Sequence, residues 1–538
     1  MSIASPQREW SRGLHGRPAS WRLQALAAAL ALQCACGPTV AQPAAVAPAP
    51  ATPSDGPPSE AAARPLGIAE FVHRTVIGNA SAQAGRLQAQ AAAKLVDAER
   101  ALYDPTVIGR ARRQGVDRPR SIDERLSSLS AQADVVERSD TLQAGLRGKL
   151  PTGASFEVTH DSSRRASNLL LSTDEREYRG TLGLTLKQPL LRGYGRDSTE
   201  ADLRVAEKEQ LAEQQRLVKQ VLELVGDAAG TWWRLYHAQQ TVAMRRASVQ
   251  TALELQQEAR RRVEGGFAPR IDLLEAEFAI AARQTELARA QQLVLEVQAR
   301  ARNLLAADGD GPLDVALSVP GTPPPWLVLD ATPPATLAAQ ALERWPAWQI
   351  ARLRLEQEQL RLDFARRQER PDLSVELGLN RNSLTDRFSS ALQGSLGSAH
   401  QGWQAGVVLE MPLDNGAARS RREAQRLRRD AARALLDAEA RLAASEWTSR
   451  RGQVQASRVE LEQLQRELAA REALLAAERE NHALGRSRLR QLIEAQDRLD
   501  EGRLRMAEAQ LRARLADIAY LTIGGALFEA YDVQVDLR

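Results

Sequence analysis

Cysteine is nearly absent: Cys34 and Cys36 are the only two in 538 residues. Both lie close to the amino terminus, so no disulfide framework can staple the body of the chain. Aromatic residues make up 4% against 26% charged ones. That balance disfavours thick ring-packed cores and favours long helices lying side by side. No segment approaches the ~20 apolar residues of a membrane-spanning helix. Net charge is only +4, with acids and bases interspersed, so the concentrated basic face of a nucleic-acid binder is missing. Proline is missing from two long stretches, between Pro189 and Pro269 and after Pro412. Each stretch leaves room for a helix of unusual length.

Catalytic patterns are lacking as well. His15, His73, His160, His237, His400 and His482 stand apart without metal-ligand spacing. His160 in a strand pattern and His482 near a helix turn read as structural. "GGFAP" lacks the Gly-Lys-Ser/Thr that would make it a phosphate loop, and "RGYGRD" matches a nucleotide turn by chance. Acidic pairs fall on helix stripes rather than in a pocket. Trp232 and Trp233 read as packing. The chain is expected to be no enzyme and to have no catalytic, cofactor-binding or metal residues.

The amino terminus does carry a signal. Arg8, Arg12, Arg17 and Arg22 precede the apolar "LQALAAALAL" (23–32) and the small-residue "TVA" (39–41), the order of an export leader. We expect a signal peptide over 1–41 and a Pro/Ala-rich tether over 42–59 that is too poor in bulky side chains to pack. Lipidation of Cys34 or Cys36 is the alternative to cleavage after Ala41. Ala35 before Cys36 suits it, whereas Gln33 stands where a Leu is usual.

The sequence is also written twice. "LKQPLLRG" (186–193) returns as "LEMPLDNG" (409–416), with Pro189 and Pro412 223 positions apart. "GFAPRIDLLEA" (266–276) returns as "GRSRLRQLIEA" (485–495), 219 positions on. Leu273, Ile280, Leu287, Val294 and Ala301 step by sevens, and Leu492, Leu499, Met506, Ala513 and Tyr520 repeat the phase. The first repeat spans 60–306, with a helix over 60–103, strands at about 153–163 and 178–188, and a helical hairpin over 197–306. The second spans 334–528, with a helix near 334–369, strands at about 372–381 and 402–411, and a hairpin over 417–523. An inter-repeat segment (307–333) is expected to wrap the outside, and 529–538 is a tail. An extra stretch at 115–150 contains the turn "KLPTG" (149–153), which has no clear place.

Helices of nearly seventy residues are about 100 Å long and must stand as a rod or tube. The heptad spacing gives them a left-handed supercoil. The strands alternate leucine, valine and tryptophan with serine, threonine, glutamate and asparagine, which suits one lipid-facing and one wet face. Four strands per chain cannot close a barrel, and lipid forbids open edges. Three chains giving twelve strands satisfy both demands. Pro189, Gly193, Pro412 and Gly416 then mark where sheet turns into helix, and Trp403 and Tyr178 suit an interfacial girdle.

These stretches, with "ERWPAWQIARLRLEQEQLRLDFARRQERPDLSVELGL" (343–379) and the run 485–528, resemble the outer-membrane efflux protein family, the TolC-like channels, over about 60–528. The resemblance implies a mainly α fold with transmembrane β. It implies a homotrimer in which a 12-stranded outer-membrane barrel continues as an α-helical barrel across the periplasm of a Gram-negative bacterium. The implied function is the passive exit duct of a tripartite efflux or type I secretion system. Its partners would be a periplasmic adaptor, an inner-membrane pump of RND or ABC type, and outer-membrane lipid. No cofactor and no nucleic acid are implied. The turns at Gly265, Gly266 and Gly485 would lie at the periplasmic tip, where adaptors dock. Two inward acids that narrow the pore in the family correspond to Gln491 and Glu494, so one acid is replaced; the first repeat has Asp272 and Glu275 there. A single Glu494 ring, with Asp272 held by Arg486 or Arg488 of a neighbouring hairpin, is the implied gate, and a merely solvated charged face is the plain alternative. A periplasmic coiled-coil structural or adaptor protein is the alternative function.

Overall fold

A computed structural model of the chain describes residues 66–122, 134–168, 177–305, 325–326, 341–397 and 400–535. The expected leader and tether, and most of the inter-repeat segment, lie outside them. The helices are α1 (Ile68–Gly78), α2 (Ala80–Arg100), α3 (Arg196–Thr199), α4 (Ala201–Glu264), α5 (Arg270–Leu305), α6 (Pro346–Gln368), α7 (Phe388–Gly397), α8 (Gly416–Ala483), α9 (Leu489–Gly524) and α10 (Leu527–Ala530). The strands are β1 (Thr106–Pro119), β2 (Asp134–Lys149), β3 (Ser155–Ser167), β4 (Glu177–Pro189), β5 (Asp372–Thr385) and β6 (Gln401–Glu410).

At 64 and 68 residues, α4 and α8 are each about 100 Å long. The shorter helices stack end to end along them. Asn79 at the start of α2 donates its Nδ2 to the Leu304 carbonyl at the end of α5 (3.4 Å), so α2 and α5 together cover α4. In the second repeat α6 and α9 divide α8 in the same way. All ten heptad residues named above are buried or half-buried. The helix expected over 60–103 is interrupted at Asn79, whose side chain accepts the Ser81 N–H (2.9 Å) and caps α2. The start of the 197–264 helix is likewise broken at Glu200.

The sheet corrects the sequence reading most. It has six strands in the order β1-β2-β3-β4-β5-β6, all antiparallel, where four were expected. The additional pair is β1 and β2, so the 115–150 stretch holds β2 and only the end of β1, which begins at Thr106; "KLPTG" is the β2–β3 turn, with Gly153 at φ +88°. β1 hid its alternation because Gly109 and Ala111 stand where bulky residues would show it. Arginines crowd the other face.

The central core sits where α1, α4, α9 and the C-terminal segment meet. Trp232 is 2% exposed and donates its indole N–H to the Leu66 carbonyl (2.9 Å). The expected tail joins this core, because Tyr531 and Val533 are buried in it beside Leu527. No helix among the described residues is long and apolar enough to cross a membrane.

Candidate functional site

The register sorts the sheet into two faces, since cross-strand partners point the same way. One face carries Val107, Leu142, Leu146, Val158, Leu184, Leu377, Leu379, Trp403, Val407 and Leu409, all exposed. So large an apolar surface marks an interaction face rather than a solvated one. The opposite face carries Arg110, Gln143, Glu157, Thr159, Thr185, Lys187, Glu376 and Gln404, with Lys187 and Glu376 paired at 2.9 Å. The two-faced pattern holds across β1 and β2 as far as Ala111 and Leu142, beyond which Arg113 and Asp140 pair on the same face (3.5 Å). Trp403 lies within the apolar band, level with Leu379 and Leu184, whereas Tyr178 stands beyond the band's outer end.

Pro189 is the last residue of β4, yet the ladder does not stop there. Leu190 N–H reaches the Leu373 carbonyl (2.7 Å), and Arg192 N–H reaches that of Pro371 (3.3 Å). The donor that proline lacks faces the side where β3 has already ended, so nothing is lost. The turn into helix comes at Gly193 and Gly195, both at φ +83°, a conformation costly for any residue with a Cβ. Gly416 has no such role. It is the first residue of α8, and Asn415 makes the second transition by donating to the Glu369 carbonyl (2.8 Å).

At the far end the two hairpin turns repeat each other atom for atom. Gly266 N–H reaches the Val263 carbonyl (3.1 Å) and Phe267 N–H reaches that of Arg262 (2.8 Å). Gly485 N–H reaches His482 (3.0 Å) and Arg486 N–H reaches Asn481 (2.8 Å). Both are Schellman closures, with Gly266 and Gly485 at φ +76° and +72°. Gly265 keeps an ordinary right-handed backbone as the C-cap of α4.

Gln491, one of the two expected gate positions, accepts the Arg488 backbone N–H (3.1 Å) and so caps α9. The guanidinium of Arg488, all donor, cannot return the favour, so only half of a capping box forms. Glu494 is held by Arg490 (3.1 Å) and Arg498 (3.5 Å) on its own helix. Asp272 is half-buried, Arg486 and Arg488 are exposed, and among the described residues no ion pair joins them. Glu275 lines a groove with Leu274, Phe278 and Glu494 between the hairpins.

Other residues, missed in the sequence, tie one hairpin to the other. Arg283, 6% exposed in its side chain, reaches Asp497 Oδ1 at 2.7 Å. Ser248 Oγ donates to Asp500 (2.6 Å). Arg262 Nη1 lies 3.1 Å from His482 Nε2, and His482 Nδ1 lies 3.2 Å from the Ser487 carbonyl. Because arginine only donates, Nε2 accepts and Nδ1 carries the proton. One signal for these ties was available: Arg283 is a charge on a buried stripe, three positions after Ile280.

Nearer the middle, Pro325 and Trp326 are the described part of the inter-repeat segment. The Arg514 guanidinium lies 3.5 Å over the Trp326 ring and 4.5 Å from that of Trp233, and it donates to the Pro325 carbonyl (2.9 Å). A cavity of about 280 Å³ opens beside them, lined also by Tyr236 and His237. Burial pulls the His237 imidazole and the Arg514 guanidinium down and pushes the Asp517 carboxyl up. It raises the Tyr531 phenol to about 12. Such a cation between two rings is a clamp on the segment.

With this geometry in view, comparison places the chain. Residues 125–307 match the family Outer membrane efflux protein. A search of curated proteins finds no match. Among solved structures, the outer-membrane channel OprN is 18% identical, with a TM-score of 0.62 over 85% of this chain and 89% of that one. The CmeC outer membrane channel of Campylobacter jejuni is 13% identical (TM-score 0.62, 85% of each chain). The MtrE outer membrane channel of Neisseria gonorrhoeae, in its open state, is 15% identical (TM-score 0.58, 86% of this chain and 89% of that one). Identities this low establish a common fold. The match to the outer membrane efflux protein family therefore rests on residues 125–307, and the fold around them is one shared with these outer-membrane channels.

Proposed function

We propose that several copies of this chain, three in number, form a TolC-like channel that serves as the exit duct of a tripartite efflux or type I secretion system. The observation that carries this reading is the apolar row Val107, Leu146, Val158, Leu184, Leu379 and Trp403, which crosses all six strands while β1 and β6 end the sheet as open edges. Lipid does not tolerate such edges, so β6 of one copy pairs with β1 of the next. With six strands each, three copies give eighteen strands rather than twelve, an even number that leaves a water-filled lumen. The polar sheet face lines that lumen, and the long helices continue it into the periplasm. The duct spends no energy. A periplasmic adaptor and an inner-membrane pump of RND or ABC type act on the hairpin tips and part them. The Asp272 contact to Arg486 or Arg488 would form only between copies.

Within one copy, opening has to break Arg283–Asp497. Asp497 is 58% exposed, so solvent screening limits the pair to about 1 kcal/mol, roughly a fivefold shift in a two-state balance. Asp497→Ala is expected to raise the open fraction of single channels by about that factor, and an unchanged open fraction removes the pair from the gate. For the reading as a whole, outer-membrane fractions are tested by detergent extraction and heat-modifiable migration. Recovery of the chain in the soluble periplasmic fraction would overturn it and favour the adaptor alternative.

A further inference from the structure

Helix α7, between β5 and β6, does not cap the end of the sheet. It lies down on the sheet's apolar face. Ser383 Oγ donates to the Ala391 carbonyl (2.6 Å), Ser395 Oγ is 3.4 Å from His160 Nδ1, and Arg381 donates to the Leu396 carbonyl (3.0 Å). Ser383, His160 and Arg381 all belong to the apolar face by register. Phe388 meets Tyr178 edge to face, with centroids 6.5 Å apart. The helix therefore descends from the level of Tyr178 to that of Leu182, the cross-strand partner of His160. Gly180 lies beneath it, where any Cβ would collide with the Ala391 carbonyl oxygen.

Two features define what α7 does there. The sheet face under it is the part of the apolar side that is not apolar: Ser162, Gly180 and Ser383 stand in a row across β3, β4 and β5. Ala391 and Ser395 seal against that row and are fully buried. Along the flank of the helix, about a quarter turn from Ala391 and Ser395, Phe388, Leu392 and Leu396 recur every fourth residue, 48%, 41% and 61% exposed. No charged residue occurs from Phe388 to Gly397, whereas Asp386 and Arg387 immediately precede the helix.

We propose that α7 is a lipid-docking helix. On this view the Phe388–Leu392–Leu396 ridge extends the barrel's hydrocarbon-facing surface over a polar gap in the sheet, into the outer leaflet of the membrane. This rests on the membrane-barrel reading. The ridge is continuous with the exposed apolar band, its charges lie only at the end away from the band, and its ring stands at the level where aromatics gather at membrane interfaces.

The test uses the full-length protein reconstituted in phospholipid vesicles, with nitroxides at single introduced cysteines and the unsubstituted chain as labelling blank. Leu396→Cys and Leu392→Cys probe the ridge, Val407→Cys probes the sheet band, and Asp386→Cys probes the helix start. Each is measured for collision with oxygen, which concentrates in acyl chains, and with a water-soluble nickel chelate. The expected result is that both ridge sites match Val407→Cys, with oxygen favoured over nickel, while Asp386→Cys favours nickel. If Val407→Cys is in lipid but the ridge sites favour nickel, the helix proposal is overturned and the barrel stands. If the ridge sites are shielded from both reagents, a second copy covers them and the proposal again fails. If Val407→Cys itself favours nickel, the barrel reading fails and this one with it.

Discussion

Leu184→Arg is expected to prevent assembly into the outer membrane, whereas Thr185→Arg, one residue along the same strand, is expected to be tolerated. Leu184 pairs with Val158 and Leu379 in the middle of the apolar face, and Thr185 pairs with Glu157 and Gly378 on the polar one. An arginine on the lipid face near mid-membrane costs about 2–4 kcal/mol. Repeated in three copies, that is about 6–12 kcal/mol, comparable with the whole net stability of a typical folded domain. The arginine at Thr185 meets water and a neighbouring glutamate. Outer-membrane yield and heat-modifiable migration of the two variants decide the matter. Equal yields would mean that the apolar face does not meet lipid.

The second large effect lies at the other end of the molecule. Gly485→Pro is expected to abolish export while leaving assembled oligomer and barrel intact. Gly485 sits at φ +72° and its N–H donates to His482. Proline is fixed near φ −65° and has no N–H to give, so the closure breaks at a cost of roughly 3 kcal/mol or more. Leu489 and Leu492 then lose their seat against Ala259 and Ala276, and His482 its carbonyl partner. The 68 residues of α8 separate this damage from the sheet by about 100 Å. Gly485→Ala strains one residue by about 1–2 kcal/mol and should weaken export without ending it. Normal export by Gly485→Pro, with oligomer intact on native gels, would remove the turn from the mechanism.

The elements that sequence alone made legible are those whose signal is periodic and repeated. The turns at Gly266 and Gly485 were found as matching words, and they prove to share the same hydrogen bonds at the same offset. The heptads were found by spacing, and each named member is buried or half-buried. The β3, β4, β5 and β6 alternation was legible because leucine and valine mark every second residue. β1 escaped because glycine, alanine and arginine mark nothing, and with it went the strand count. The break at Asn79 escaped because one capping asparagine in an alanine-rich helix looks like any surface residue. The ties between hairpins escaped for a different reason. Arg283 with Asp497, and Arg262 with His482, are separated by more than 200 positions, and only the folding of one repeat against the other brings them together. Helix α7 escaped because ten uncharged residues, half of them serine or glycine, carry no statement of which side of a sheet they will cover.

The central claim is that copies of this chain enclose one continuous wet path through a membrane. Purified protein added to a planar lipid bilayer tests it most directly. Discrete, uniform conductance steps are predicted, enlarged in open time by Asp497→Ala. A protein that stays a water-soluble monomer and leaves the bilayer silent would contradict the account.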